Sequence, residues 1–177
     1  TDAVHEAGGR ISLQLLHAGR YAKQEDCVGA STIKAPINRY VPRALSTAEV
    51  WDLVADFARS AGLAIEAGYD AIELMGSEGY LINQFLAAAT NDRTDEFGGS
   101  ATKRMRLAVE IAHAVRAAVG PDFPVVFRIS LVDLIRDGQT WEETVELAHA
   151  LVQAGVTAFN TGIGWHESRI PTIITQV

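Results

Sequence analysis

A phenol, an imidazole, a carboxamide and a guanidinium stand out in this chain because each sits in, or just beyond, an apolar run. Tyr80 follows Glu78 in ELMGSEGYLINQFL, and His166 opens the run His166, Glu167, Ser168, Arg169 in NTGIGWHESRIP. A phenol with an ordinary pKa of about 10 is a poor acid–base group unless a neighbour tunes it. A histidine leaving another strand's C-terminal end could reach it. Gln14 lies in SLQLLHAGRY, three residues before His17, and strand alternation puts Leu13 and Leu15 on one side and the amide on the other. Such an amide is satisfied either by neighbouring backbone or by a polar ligand. Arg128, in VVFRIS, is an obligate cation within a buried strand and must be ion-paired or bound to an anion. Singly, each residue has an ordinary structural explanation. Their joint value depends on one end of one sheet holding all of them.

The elements that would do so follow one local grammar, a helix end, a glycine and then a short β-rich run. It recurs at Arg10–Leu16, Asp70–Met75, Pro124–Ser130 and Thr157–Gly162. Glycine suits the left-handed position just past a helix end. The runs are nearly continuous hydrophobics, as expected where both faces of a parallel sheet are covered. Between them, Ser46 with Glu49 forms a capping box for a helix to about Ala67, with Val50, Leu53, Val54, Phe57, Ala61, Ala64 and Ile65 on one face. A second helix is predicted over Ala101–Val119, striped by Met105, Ala108, Ile111, Ala112, Val115 and Val119, and ending at Gly120-Pro121. A third, Trp141–Ala154, opens on the box Thr140/Glu143 and would bury Val145, Leu147, Ala148, Leu151 and Val152.

Strand–helix alternation of this kind predicts an α/β fold with a parallel sheet and right-handed crossovers. A (β/α)8 TIM barrel takes eight units and about 250 residues; the chain has 177. Residues 1–177 are therefore expected to form the central portion, about half, of a single barrel domain. Thr1–Gly9 reads as the tail of a helix. A small open sheet is the alternative, but no Gly-rich dinucleotide or phosphate loop follows any strand to support it.

Composition narrows the function. A net charge of −7 argues against a nucleic-acid partner. The single Cys27 excludes an internal disulfide and any multi-cysteine metal or iron–sulfur site in this segment. No apolar run approaches the ~18 residues of a membrane span, and no leader is evident, so a soluble cytoplasmic domain without a membrane partner is expected. The stretch between Glu73 and Arg106 is long for a strand-to-helix connection and rich in polar groups, which marks it as functional. Within it, Asn91, Arg93, Thr94, Asp95, Gly98, Gly99 and Arg104 have a structural explanation as loop-stabilising residues, preferred for Asp95, Gly98, Gly99 and Arg104.

The strings LQLLHAGRY, GYLINQFL and TNDRTDEFGGSATKRMR resemble the FMN-dependent old yellow enzyme (NADH:flavin oxidoreductase) family along essentially the whole chain. MGSEGYLINQFL with NTGIGWHESRIPTI is similar, more narrowly, to the N-terminal FMN barrel of bacterial NADPH-dependent 2,4-dienoyl-CoA reductases. One departure separates this chain from simple enone reductases. Where those place a His and a His or Asn to hold an enone oxygen, this sequence has Met75 and Glu78.

The resemblance implies FMN as cofactor, with Gln14 on its pyrimidine edge and Arg128 at its N1–O2 side, where reduction builds negative charge. It implies that Tyr80 donates a proton, that His166 lowers its effective pKa, and that Glu78 belongs to the same catalytic group. Ala89, Thr90, Asn91 and Asp92, with His166, Glu167, Ser168 and Arg169, would line the path of an enoyl-CoA-type thioester, reduced in fatty-acid β-oxidation. FAD, an iron–sulfur cluster and NADPH would be held by redox domains outside this segment, as would the remaining barrel. Two other readings stay open: a related FMN-dependent ene or amine oxidoreductase, and a catalytically silent segment without cofactor.

Overall fold

The computed structural model describes residues 1–169. In chain order the elements are α1 (Asp2–Glu6), β1 (Ser12–Leu15), β2 (Val28–Gly29), β3 (Arg43–Ala44), α2 (Thr47–Glu66), β4 (Ala71–Gly76), α3 (Leu81–Leu86), α4 (Ala101–Val119), β5 (Val125–Val132), α5 (Trp141–Gln153) and β6 (Ala158–Ile163). Four of the strands form one parallel sheet in the order β1-β4-β5-β6. The β2/β3 pair is a separate two-stranded ribbon within the connection from β1 to α2.

Two of the three long helices start on the capping boxes that the sequence placed, and α4 is capped by Ser100. Ser46 and Thr140 accept from the backbone N–H groups of Glu49 and Glu143, and both glutamates return the bond to the cap residue. Such a box satisfies amide groups that the first helical turn otherwise leaves orphaned. The helices bury their apolar stripes on one side of the sheet, where Ile72, Leu74, Val125, Phe127 and Ile129 meet Val54, Phe57, Ala61, Leu107, Ala108, Ile111, Leu147 and Leu151 in one core.

Three stripe residues depart from expectation. Ile65, Val145 and Val152 are exposed, at 39%, 37% and 51% of their accessible surface. In α5 the sheet-facing line is Thr144, Leu147 and Leu151, at helical spacing. Val145 and Val152 lie one turn-step off that line, and Thr144 takes the buried place by donating its hydroxyl to the Thr140 carbonyl at 3.0 Å.

Coverage of both sheet faces is also not what the described residues show. The opposite face is polar. By strand alternation it carries Gln14 from β1, Glu73 and Met75 from β4, Val126 and Arg128 from β5, and Asn160 from β6. Four parallel strands do not close on themselves, so the face that a complete barrel would turn inward is left open among the described residues.

Candidate active site

The loop after β4 begins with a tight turn. Glu78 and Gly79 both take left-handed backbone conformations, with φ of 62° and 83°. For Glu78 this costs energy that surrounding contacts must offset. For Gly79 it is built in, because a Cβ there would collide with the Tyr21 hydroxyl and the Trp165 ring. The buried amide of Asn83 closes the turn by accepting the Gly79 N–H at 3.0 Å. The chain then enters α3 at Tyr80, which occupies the N-cap position in extended conformation. The phenol is thereby thrown outward at the C-terminal end of the sheet.

Four groups meet there. The Tyr80 hydroxyl lies 2.9 Å from His166 Nε2, and the same nitrogen lies 3.5 Å from Glu78 Oε2. The other Glu78 oxygen accepts from Arg128 Nη2 at 2.6 Å and Nε at 3.1 Å. Arg128 is thus ion-paired along one edge, while its Nη1 has no hydrogen-bond partner among the described residues. Two clefts open on the cluster: one lined by Tyr21, Lys23, Ile37, Asn38, Tyr80 and His166, the other by Glu78, Arg128, His166 and the Thr161–Gly164 strand end.

The electrostatics run against one expectation. Burial first, and the Glu78 carboxylate second, hold the Tyr80 phenol above its ordinary pKa rather than below it. Both effects disfavour the phenolate, so the neutral acid persists across and above the neutral range.

A second layer braces the rim. Tyr21 stands edge-on to both Tyr80 and His166, at 6.0 and 5.9 Å between ring centres. Its hydroxyl donates to Glu167 Oε2 at 2.8 Å, and Arg20 Nη2 reaches both Glu167 oxygens at 2.6 Å. Arg20 is itself buried and packs over Trp165 and Tyr21. Burial and the Glu167 charge raise the Tyr21 pKa strongly, which leaves it a fixed, neutral donor. This brace ties the loop after β1 to the loop after β6 and holds His166 in place. Tyr21 lies inside the string LQLLHAGRY, yet its position beside Tyr80 follows from β1 and β4 being neighbours, which no local signal states.

The other expected site residues divide. Gln14 lies on the open polar face, donating to Glu73 Oε1 at 2.5 Å. His17 accepts the Gly19 N–H on Nδ1 at 3.0 Å, and burial lowers its pKa, so it is spent on the turn. Thr90 and Asn91, expected to line the substrate path, turn their side-chain donors to buried backbone. Thr90 donates to the Gln84 carbonyl at 2.7 Å, and Asn91 to those of Phe85 and Phe97 at 2.6 and 2.8 Å, all buried. Ala89 and Asp92 contact the Asp137 and Ser31 regions, and none of the four lines either cleft. Glu167 directs its carboxylate to Arg20 and Tyr21. Ser168 donates its N–H to the Trp165 carbonyl at 2.9 Å, and Arg169 is exposed. The end of the motif that carried the narrower resemblance, residues 170–173, lies outside the described residues.

Among the described residues no group of three or more His, Cys, Asp or Glu could hold a metal ion, and no helix is long and apolar enough to cross a membrane.

This geometry agrees with three likenesses. A metal reductase of Desulforamulus reducens is 38% identical over 180 residues, covering 99% of this chain and 27% of that protein. The structure of a 2-naphthoyl-CoA reductase in complex with 2-naphthoyl-CoA superposes with a TM-score of 0.87 at 33% identity, covering 94% of this chain and 28% of that one. An old yellow enzyme homologue from Zymomonas mobilis superposes with a TM-score of 0.85 at 28% identity, covering 96% of this chain and 54% of that one. The chain thus spans between about a quarter and a half of the proteins it matches, and its parallel sheet is a portion of an old yellow enzyme-type TIM barrel. The model of the NADH:flavin oxidoreductase / NADH oxidase family matches residues 1–177, and the chain belongs to that family.

Proposed function

We propose that this chain supplies the flavin-facing and proton-donating part of an NAD(P)H-linked flavin oxidoreductase that reduces a conjugated 2,4-dienoyl-CoA thioester. The observation that carries the reading is the 2.9 Å contact between Tyr80 and His166, on the same rim as Arg128 and next to the polar face that holds Gln14. FMN suits that face. Gln14 keeps its carbonyl and one N–H unused, Arg128 keeps Nη1 unused, and these are the donor and acceptor types that a pyrimidine-dione edge requires. When bound, FMN supplies the hydride.

The chain's residues supply the rest. Arg128 places a fixed positive charge beside the cofactor's pyrimidine side. Tyr80, held neutral by burial and Glu78, keeps its proton until the substrate carbanion demands it and then donates it from Oη. His166 orients the phenol through the hydrogen bond at Nε2, and an N–H there stabilises the phenolate that is left once Tyr80 has given its proton to the substrate. Glu78 fixes both Arg128 and His166, which makes it the hinge between the cofactor side and the proton side. With Met75 and Glu78 in place of enone-holding amide or imidazole groups, a small enone has no oxygen clamp here, which favours a substrate held by its own long thioester arm. The crystallised relative bound to 2-naphthoyl-CoA supports a thioester.

The same reading assigns FAD, an iron–sulfur cluster and NADPH to other domains, and fatty-acid β-oxidation in the cytoplasm as the setting. The test is a steady-state panel of dienoyl-CoA thioesters against simple enones with flavin-loaded protein. Preference for small enones would reject the thioester; full activity of Tyr80→Phe under rate-limiting chemistry would reject the proton donor.

A further inference from the structure

Glu73 has no assigned role, yet it is a charged residue in the middle of a central strand, with no cationic partner within ion-pair distance among the described residues. Its two oxygens are taken by two amides. Gln14 Nε2 donates to Oε1 at 2.5 Å from β1, and Asn160 Nδ2 donates to Oε2 at 2.8 Å from β6. Gln14 stands directly beside Glu73 in the sheet register. Asn160 reaches it across β5, whose Val126 pairs with Glu73 and whose Arg128 pairs with Asn160.

A carboxylate that accepts at both oxygens can only face the NH2 ends of those amides. The two amide orientations, normally interchangeable, are therefore dictated. Gln14 must turn its carbonyl and its second N–H away from Glu73, and Asn160 must turn its carbonyl away. The open face then shows an acceptor beside a donor at Gln14, with the Arg128 guanidinium two residues beyond the Glu73 level on β5. An imide edge of a flavin, with its N–H next to C=O, is complementary to an amide held in that one orientation and mismatched to the flipped one.

We infer that Glu73 is a positioning residue: it fixes the face that Gln14 presents to the flavin's pyrimidine edge, and its charge opposes that of Arg128 in setting how readily the flavin accepts electrons. The inference rests on the FMN reading above. Glu73 is the only group named here that both orders the cofactor's amide ligand and disfavours the anionic reduced ring.

The experiment uses flavin-loaded protein and measures the FMN dissociation constant and the midpoint potential, not turnover. Glu73→Gln weakens oxidised FMN by about tenfold, in line with losing one charge-assisted hydrogen bond. Reduced FMN is weakened less, because the opposing charge is gone too. If reduced affinity is unchanged, the potential rises by about 30 mV for the two-electron couple, the equivalent of that tenfold. Gln14→Leu also weakens FMN, and adding Glu73→Gln to it weakens FMN no further, because the amide to be oriented is absent. Should Glu73→Gln fail to fold, Glu73→Asp carries the test: it keeps the charge but cannot span both amides, so affinity falls while the potential stays. Wild-type affinity and potential in Glu73→Gln, or full additivity with Gln14→Leu, overturns the positioning role. Wild-type protein that takes up no FMN overturns the cofactor reading itself, a failure visible before any variant is made.

Discussion

The stretch from the end of β4 into the first turn of α4 contains two groups of polar residues that the fold uses in opposite ways. Glu78 and Tyr80 turn their polar groups outward, Glu78 to Arg128 and His166 and Tyr80 to His166. Thr90, Asn91 and Arg104 turn theirs inward. Thr90 and Asn91 bond buried backbone carbonyls, and Arg104 bonds those of Leu86 and Gly99 and the Glu143 carboxylate at 2.8, 2.6 and 2.5 Å. The second group is a scaffold that keeps a long loop from collapsing, because backbone removed from water must find partners. The first group can then afford a left-handed glutamate and an outward phenol. A polar loop residue is thus functional or structural according to where its hydrogen bonds end, not according to its type.

The sharpest way to break this contrast is to remove Arg104. Arg104→Ala takes the donor from the buried Leu86 carbonyl and from the Gly99 carbonyl, leaves the Glu143 carboxylate with only its Thr140 N–H bond, and should lower stability by roughly 3 kcal/mol, seen as an earlier urea midpoint. The proposed proton donation by Tyr80 should persist in whatever fraction stays folded.

Tyr80→Phe should do the reverse. Turnover in the flavin-loaded protein falls by roughly 10²-fold or more, while the urea midpoint barely moves, because the phenol is partly exposed. A large stability loss here would put Tyr80 among the scaffold residues. Asn91→Ala tests the other side at a smaller scale: about 2 kcal/mol of stability lost and unchanged substrate KM, since Asn91 lines neither cleft. A raised KM would return Asn91 to the substrate path.

The smallest effect is a displacement in pH. Glu78's negative charge helps hold the Tyr80 pKa up. Glu78→Gln removes that contribution, so the phenol ionises at lower pH and the alkaline limb of the rate profile moves down. The pH–rate curve of the variant reads it directly, and a limb that stays put would mean burial alone sets the pKa.

Much of the fold was legible before any coordinates. The α4 boundaries and both capping boxes follow from side chains that act on neighbours within one turn. The helix-ending glycines, all at positive φ, and the parallel topology follow from local pattern repeated along the chain. The loop residues Asp95 and Arg104 were legible as structural: burial pushes the Asp95 carboxyl up, but bonds from Arg93, Thr47 and the Phe97 N–H outweigh this and hold it at about 2. The one-turn helix α3 was not legible, since its six residues, all buried, show no amphipathic period. Nor was the misplaced valine flank of α5, where apolar type alone does not say which side meets the sheet.

By itself, the sequence determined which elements form and which residue types stand at strand ends, because propensity, capping and alternation are properties of neighbours along the chain. It named Tyr80, His166, Gln14 and Arg128 on that basis. Only the tertiary structure decided who touches whom: that β1 lies beside β4 and brings Tyr21 to the rim, that Glu78 takes one edge of Arg128, and that Glu73 gathers amides from two other strands. Those contacts join residues 50 to 87 positions apart, and strand order, which no local pattern encodes, is what closes such distances.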